Sequence, residues 1–327
     1  MQNCREKLRR WFGSALAGSG CLLLFSGLTA AEERKPFAGA DPHVLAVNGE
    51  FWLYPTEPNA RRLVFAAYRS KDLRQWRRSG EVLDLAKVPW VKEDQAPWHG
   101  AWAPALAEKN GRFYFYYSVG PQNPTPSRIG VAVGDSPAGP FRDSGKPLLT
   151  GGSGFEAIDP MVYVDPRTQK AWLYAGGSAG AKLRVFELEE DMVRLRREIT
   201  VTQPEFFTEG PFLHERKGIY YLSYSHGRWN DPSYSVHYAT GNSPVGPWTY
   251  QGKILESDAR FQGPGHHAFV QKPGMDQWFI VYHRWETERK KPPLPGTRRL
   301  AVEKIAYDAQ GRIQPIRMGE GNVALVP

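Results

Sequence analysis

Three short acidic motifs recur at matching points along this chain: Ala40-Asp41-Pro42, Ile158-Asp159-Pro160 and Thr208-Glu209-Gly210-Pro211. If folding gathers these carboxylates into one cavity, they cannot all ionise freely, because like charges a few ångströms apart push at least one pKa upward. One then keeps its proton near neutral pH while another stays charged. A protonated acid opposite an ionised base is the pairing that hydrolyses a glycosidic bond.

The elements around the acids repeat as well. Asp41-Pro42 leads through Val44-Leu45-Ala46-Val47 and the turn Asn48-Gly49 to Phe51-Trp52-Leu53-Tyr54. Asp159-Pro160 leads through Met161-Val162-Tyr163-Val164 and Asp165-Pro166 to Trp172-Leu173-Tyr174, and Glu209-Gly210-Pro211 leads by Lys217-Gly218 to Ile219-Tyr220-Tyr221-Leu222. Two further units lack the acid. They begin at Trp102-Ala103-Pro104 and at Gly263-Pro264-Gly265-His266 and run to Phe113–Tyr117 and Trp278–Tyr282. Each of the first four units adds a second hairpin, and the loops Asp135-Ser136-Pro137-Ala138-Gly139-Pro140-Phe141 and Asn242-Ser243-Pro244-Val245-Gly246-Pro247-Trp248 nearly copy one another. Internal repetition of this kind, with short β-rich runs, four strands per unit and no sustained helical period, predicts an all-β fold, a five-bladed β-propeller.

In a propeller, the starts of the innermost strands converge on one mouth of the central channel. Asp41, Trp102, Asp159, Glu209 and His266 are expected to face one cavity there. Asp165-Pro166 and Asp231-Pro232 fall outside those starts and read as turns, since Asp-Pro is a common turn opener. Glu156 is the nearest competing acid.

The run Asp41-Pro42, Trp102-Ala103-Pro104, Ile158-Asp159-Pro160, Glu209-Gly210-Pro211-Phe212 and Gly263-Pro264-Gly265-His266 resembles glycoside hydrolase family 43 over about residues 37 to 317. The resemblance implies an inverting propeller glycosidase acting on arabinose- or xylose-containing glycans. It assigns Asp41 as general base on water, Glu209 as general acid on the leaving oxygen, and Asp159 as the residue that orients Glu209 and raises its pKa. It also implies a place for His266 at the channel, beside a structural calcium ion contacted through water, with no cofactor required, because a hard cation prefers oxygen ligands. Arg298 and Arg299 stand where the family tends to supply a sugar-binding arginine, and Trp98 and Trp102 are placed to stack on a sugar face. His267, facing the other way along the strand, is expected to pack in the core. Ala40 departs from the family, which often has histidine before the first aspartate.

Two other readings fit acids at blade starts. Fructan-cleaving propellers usually follow their acid with cysteine, whereas Gly210 follows Glu209; a propeller that only binds glycans has no need of all three carboxylates. Galactans are a further substrate alternative within the hydrolase reading.

The remaining sequence sets the context. In this chain of 327 residues, Arg5, Lys7, Arg9 and Arg10 precede an apolar stretch from Trp11 to Leu28 that ends in Thr29-Ala30-Ala31, the pattern of a cleaved export signal. Residues 1–31 are therefore read as the signal and 32–327 as the catalytic propeller, periplasmic or secreted and monomeric; Arg9-Arg10-Trp11-Phe12 partly matches a twin-arginine signal. Both cysteines, Cys4 and Cys21, would leave with it, so the mature protein is expected to have no disulfide. After Ala31 no apolar run is long enough to cross a membrane. The formal charge of +8 is spread over many loops without a basic stripe, so nucleic acid is not the expected partner. An oligo- or polysaccharide is. The segments Asp84 to His99 and Pro121 to Arg128 are expected to wall one side of the mouth, giving a closed pocket that releases terminal sugars.

Overall fold

Dipeptide turns set the innermost hairpins. Asn48-Gly49, Asn110-Gly111 and Lys217-Gly218 take positive φ at both residues, the tight turn whose twist matches antiparallel strands. In the computed structural model, which describes residues 35–319 and 323–327, these turns join Ala40–Val47 to Glu50–Thr56, Gly100–Lys109 to Arg112–Gly120, and Glu209–Arg216 to Ile219–His226. The third unit pairs Met161–Val164 with Ala171–Ala175 and the fifth pairs Phe261–Gln271 with Trp278–Glu286. Asp165 and Asp231 do form turns: each accepts backbone N–H groups two residues on, Arg167 N at 2.8 Å and Ser233 N at 2.8 Å.

The strands form five separate sheets, and their innermost strands contact one another in a closed ring, with Phe261–Gln271 returning to Ala40–Val47. This is the five-bladed propeller. Blades three and four have four strands, as expected. The first is widened by Ala324–Leu325, paired in parallel with Gln75 and Trp76, and by Lys35–Pro36 beyond it. In the second, Arg128–Gly134 pairs with Arg142–Asp143 and Leu149–Thr150 as well as with its inner neighbour. The fifth departs from the four-strand rule, ending at Arg299–Ile305. Residues 37–39 cover that edge, with Leu300 N donating to Phe37 O at 3.0 Å and Gly39 N to Arg298 O at 3.1 Å, which closes the ring and hides an open strand edge.

Repetition also fixes neighbouring blades to each other. Tyr54, Tyr116 and Tyr174 occupy the same register of successive second strands, opposite His43, Ala105 and Met161. Each buried phenol donates into the next blade, to Pro137 O, Met192 O and Pro244 O respectively. Pro137 and Pro244 lie in the two near-identical loops, so those loops are docking points for the preceding blade. The export signal expected over residues 1–31, with both cysteines, lies outside the described residues.

Candidate active site

Each innermost strand opens with a backbone kink, a bulge in four blades and a positive-φ residue just before the strand in the third. Asp41, Ala103, Asp159, Gly210 and His266 have φ of 48°, 42°, 57°, 60° and 38°, and the first four are followed by proline. Across the bulge the register skips, from Ala40↔Thr56 to His43↔Tyr54 and from Glu209↔Ser225 to Phe212↔Ser223. The proline has no N–H to lose, so the ladder tolerates the break. This register corrects the sequence alignment. Ala103, Gly210 and His266 are the equivalents of Asp41 and Asp159, while Trp102 and Glu209 stand one residue earlier, level with Ala40 and Ile158.

A bulged N–H turned out of its ladder needs another acceptor. In four blades a side chain from the second strand of the preceding blade supplies it: Thr56 Oγ1 for Ala103 (2.7 Å), Ser118 Oγ for Asp159 (2.9 Å), Ser225 Oγ for His266 (2.8 Å) and His283 Nδ1 for Asp41 (3.1 Å). The corresponding position in the third blade is Gly176, opposite Ile158, which has no side chain to offer. There the carboxylate of Asp159 itself accepts Gly210 N, Oδ2 at 3.0 Å, holding the backbone next to Glu209.

The three carboxyls are buried and sit in different fields. Burial alone would raise the pKa of Asp41, but the charges of Arg298 and His266 outweigh it and hold the carboxylate well below its ordinary range. Arg298 Nη1 lies 3.0 Å from Asp41 Oδ1. Glu209 goes the other way: burial and the charge of Asp159 push it up to about 8, against the hydrogen bond from Tyr234 Oη at 2.7 Å. His266 Nδ1 lies 3.6 Å from Asp41 and 3.3 Å from Asp159. Burial would strip its proton, yet the two carboxylates prevail and push it up to about 9. Burial holds His283 down to about 4, hence neutral, with Nδ1 3.1 Å from the Asp41 N–H and 3.3 Å from its carboxylate. Near neutral pH the cluster around His266 thus contains an ionised aspartate and a protonated glutamic acid.

Glu156, the competing acid, reaches across to the segment after the third blade's second strand, its carboxylate accepting Ala179 N at 2.8 Å. Among the described residues no three ligating side chains are grouped to hold an ion directly, so a cation beside His266 would have to be held through water. A concavity of about 870 Å³ opens at the far end of the channel, lined by His43, Glu108, Glu215 and Lys272 among others, and none of the three carboxylates lines it.

A family profile described as Glycosyl hydrolases family 43 matches residues 35–313. The chain belongs to this family. It is 34% identical over 299 residues to the beta-D-galactofuranosidase xynD of Aspergillus niger, with 85% of this chain and 82% of that one covered. It is 31% identical to the xylosidase/arabinosidase 43A of Humicola insolens, covering 84% and 95%. Among solved structures, the GH43_1 enzyme from Xanthomonas citri complexed with xylotriose superimposes with a TM-score of 0.68 at 28% identity, covering 89% of this chain and 96% of that one. The protein is accordingly a glycosidase that hydrolyses O-glycosyl bonds.

Within this family 43 site the two arginines separate. Arg299 is the correction: paired with Arg284 in its strand, it turns its guanidinium to Pro36 O at 3.2 Å, and only Arg298 reaches the carboxylates. Trp102 lies across its own blade, over Gly100 and Gly120, where an added Cβ would come within 2.5 and 1.9 Å of the indole, and Trp98 packs on it with ring centroids 5.8 Å apart. His267 packs in the core, 2% exposed, with Nε2 2.6 Å from Ser223 Oγ. Sequence reasoning missed Tyr234, His283 and Trp229. His283 was legible only by aligning second strands, where it falls level with Thr56, Ser118 and Ser225. Trp229, 45% exposed, sits under the Arg298 guanidinium at 4.9 Å and stacks on Trp285. Tyr234 follows an Asp-Pro turn that carried no signal of its own.

Proposed function

We propose that this family 43 glycosidase is an exported, exo-acting α-L-arabinofuranosidase/β-xylosidase that inverts anomeric configuration. Asp41 takes a proton from water as the water attacks the anomeric carbon. Glu209 gives its proton to the glycosidic oxygen, which leaves with the electron pair of the broken C–O bond, while Asp159 keeps Glu209 protonated and in place. The observation that carries this reading is the opposite bias of two buried carboxyls in one cluster, Asp41 paired with Arg298 at 3.0 Å and Glu209 raised to about 8. His266 supplies positive charge between Asp41 and Asp159, and Arg298 and Trp229 are the groups best placed to meet the terminal sugar.

Support for a closed pocket comes from the two insertions, which are tied together. Asp94 accepts from Arg128 at 2.5 Å and Thr125 at 3.0 Å, and Arg128 also donates to the carbonyls of Trp90 and Val91. Purified protein on aryl α-L-arabinofuranoside, β-D-xyloside and β-D-galactofuranoside tests the sugar, the third because the Aspergillus niger relative is a beta-D-galactofuranosidase, which makes a galactofuranoside the second reading. Proton NMR of the first product, before mutarotation, tests the stereochemistry. A product retaining the substrate's configuration overturns inversion, and early oligomers of graded length from linear arabinan overturn exo action. Export is tested by the N-terminal sequence of the protein recovered outside the cytoplasm, expected to begin after Ala30 or Ala31.

A further inference from the structure

An acid catalyst has two carboxyl oxygens, and only the one carrying the proton is of use to the leaving group. We propose that Tyr234 is a positioning residue for Glu209, making Oε1 the carbonyl oxygen by donating to it and so assigning the transferable proton to Oε2. The inference rests on the acid role given above to Glu209. Tyr234 Oη donates to Oε1 at 2.7 Å, and the phenol is 1% exposed. Of the two oxygens in a protonated carboxyl, the carbonyl carries more negative charge and is the better acceptor. A fixed donor at Oε1 therefore favours the tautomer with hydrogen on Oε2. The groups facing Glu209 are Asp159, Asp41, His266 and this phenol, and of these only Tyr234 hydrogen-bonds its carboxyl.

The phenol is held for the purpose. A turn after the fourth blade's second strand delivers it, with Tyr234 N donating to Asp231 O at 3.0 Å. Its ring lies parallel to His283, centroids 5.8 Å apart and planes 11° off. Gly265 leaves room for the ring, since an added Cβ there would fall 2.0 Å from it, which gives the second glycine of Gly263-Pro264-Gly265 its reason. Ser225 anchors the neighbouring backbone by accepting His266 N at 2.8 Å. Burial and the neighbouring carboxyls raise the phenol's pKa well above its ordinary value, so it stays a donor throughout the working range.

The contact gains strength during the reaction. As the glycosidic C–O bond breaks and its oxygen takes the proton from Oε2, Glu209 becomes a carboxylate, and the Tyr234 bond becomes charge-assisted. Tyr234→Phe should therefore cut kcat/KM about tenfold or more on alkyl glycosides and natural oligosaccharides, with KM little changed. On 2,4-dinitrophenyl glycosides, whose leaving group needs no proton, it should be near wild type. A purely structural role would lower every substrate alike, and that result, or no loss on any substrate, overturns the proposal. The melting temperature reports on the fold; if the phenylalanine variant does not fold, 3-fluorotyrosine at position 234 keeps the hydroxyl and, through one small ortho fluorine, makes it a stronger donor, and must move kcat/KM on alkyl but not dinitrophenyl substrates. Glu209→Gln separates the two readings. If that variant is not selective for activated leaving groups the acid assignment falls, whereas if it is selective and Tyr234→Phe is not, only the role of Tyr234 falls.

Discussion

Removing the charge of Arg298 should make the base lose its ionisation at moderate acidity. Burial is the largest influence on Asp41 and acts to raise its pKa; Arg298 and His266 together reverse the sign. With Nη1 and Oδ1 3.0 Å apart, the charge centres are separated by ~4 Å. Such a pair is worth about 4 kcal/mol at an effective dielectric of roughly 20, or about 3 pKa units. Side-chain exposures of 20% and 11% and the persisting charge of His266 reduce this, so we expect Arg298→Met to raise the Asp41 pKa by roughly 1 to 2 units. The sign follows directly: the base works when deprotonated, so the acid limb of kcat/KM moves to higher pH. A dinitrophenyl glycoside is the right substrate because it needs no acid catalyst and leaves the base limb alone in the profile. Arg298→Lys keeps the charge, so its limb should move less, yet it should lose activity at every pH because lysine lacks the paired donors of guanidinium. Arg299→Met, altering a side chain that faces Pro36, should leave the limb unmoved. An acid limb in Arg298→Met identical to wild type refutes the argument.

Asp159→Asn should shift the alkaline limb on alkyl glycosides downward from about 8, because the charge of Asp159 helps raise Glu209. Its amide oxygen can still accept Gly210 N, so Asp159→Ala should lose more activity than Asp159→Asn at the optimum; equal losses would mean the backbone contact contributes nothing. Trp229→Ala should raise KM for the terminal sugar roughly three- to tenfold, the worth of one aromatic contact, with kcat less affected. An unchanged KM removes Trp229 from the sugar's path.

Repetition made the fold legible. Acid-Pro or Gly-Pro followed by an apolar run, a Gly turn and an aromatic strand gives both the blade count and the mouth, since strand starts must converge in a propeller. Asp41, Asp159, Glu209 and His266 were found that way. What stayed hidden depends on register. Composition cannot show that Glu209 stands one residue before the position of Asp41, because the bulge that shifts it is a backbone event. Arg298 and Arg299 are adjacent in sequence, and only the pairing of Arg299 with Arg284 decides which of them turns to the site. The fifth blade's missing strand was likewise invisible, because residues 37–39, which cover its edge, precede the first blade in the chain.

The arrangement of the acids follows from the way the repeat satisfies its own backbone. Every bulge frees an N–H, and in four blades a neighbouring second strand covers it with threonine, serine or histidine. Restoring a side chain at Gly176 is blocked, since an added Cβ would lie 2.2 Å from Lys182 O. The uncovered N–H is that of Gly210, and the group that reaches it is a charged one, Asp159, at 3.0 Å. A serine there would have satisfied the backbone equally well, but it would have brought no charge toward Glu209. One missing side chain thus turns a structural cap into the neighbour that keeps the acid protonated. The same logic applies at the opposite side of the ring, where His283 caps Asp41 in place of a hydroxyl and adds to the larger influence of Arg298 and His266 in keeping that carboxylate ionised.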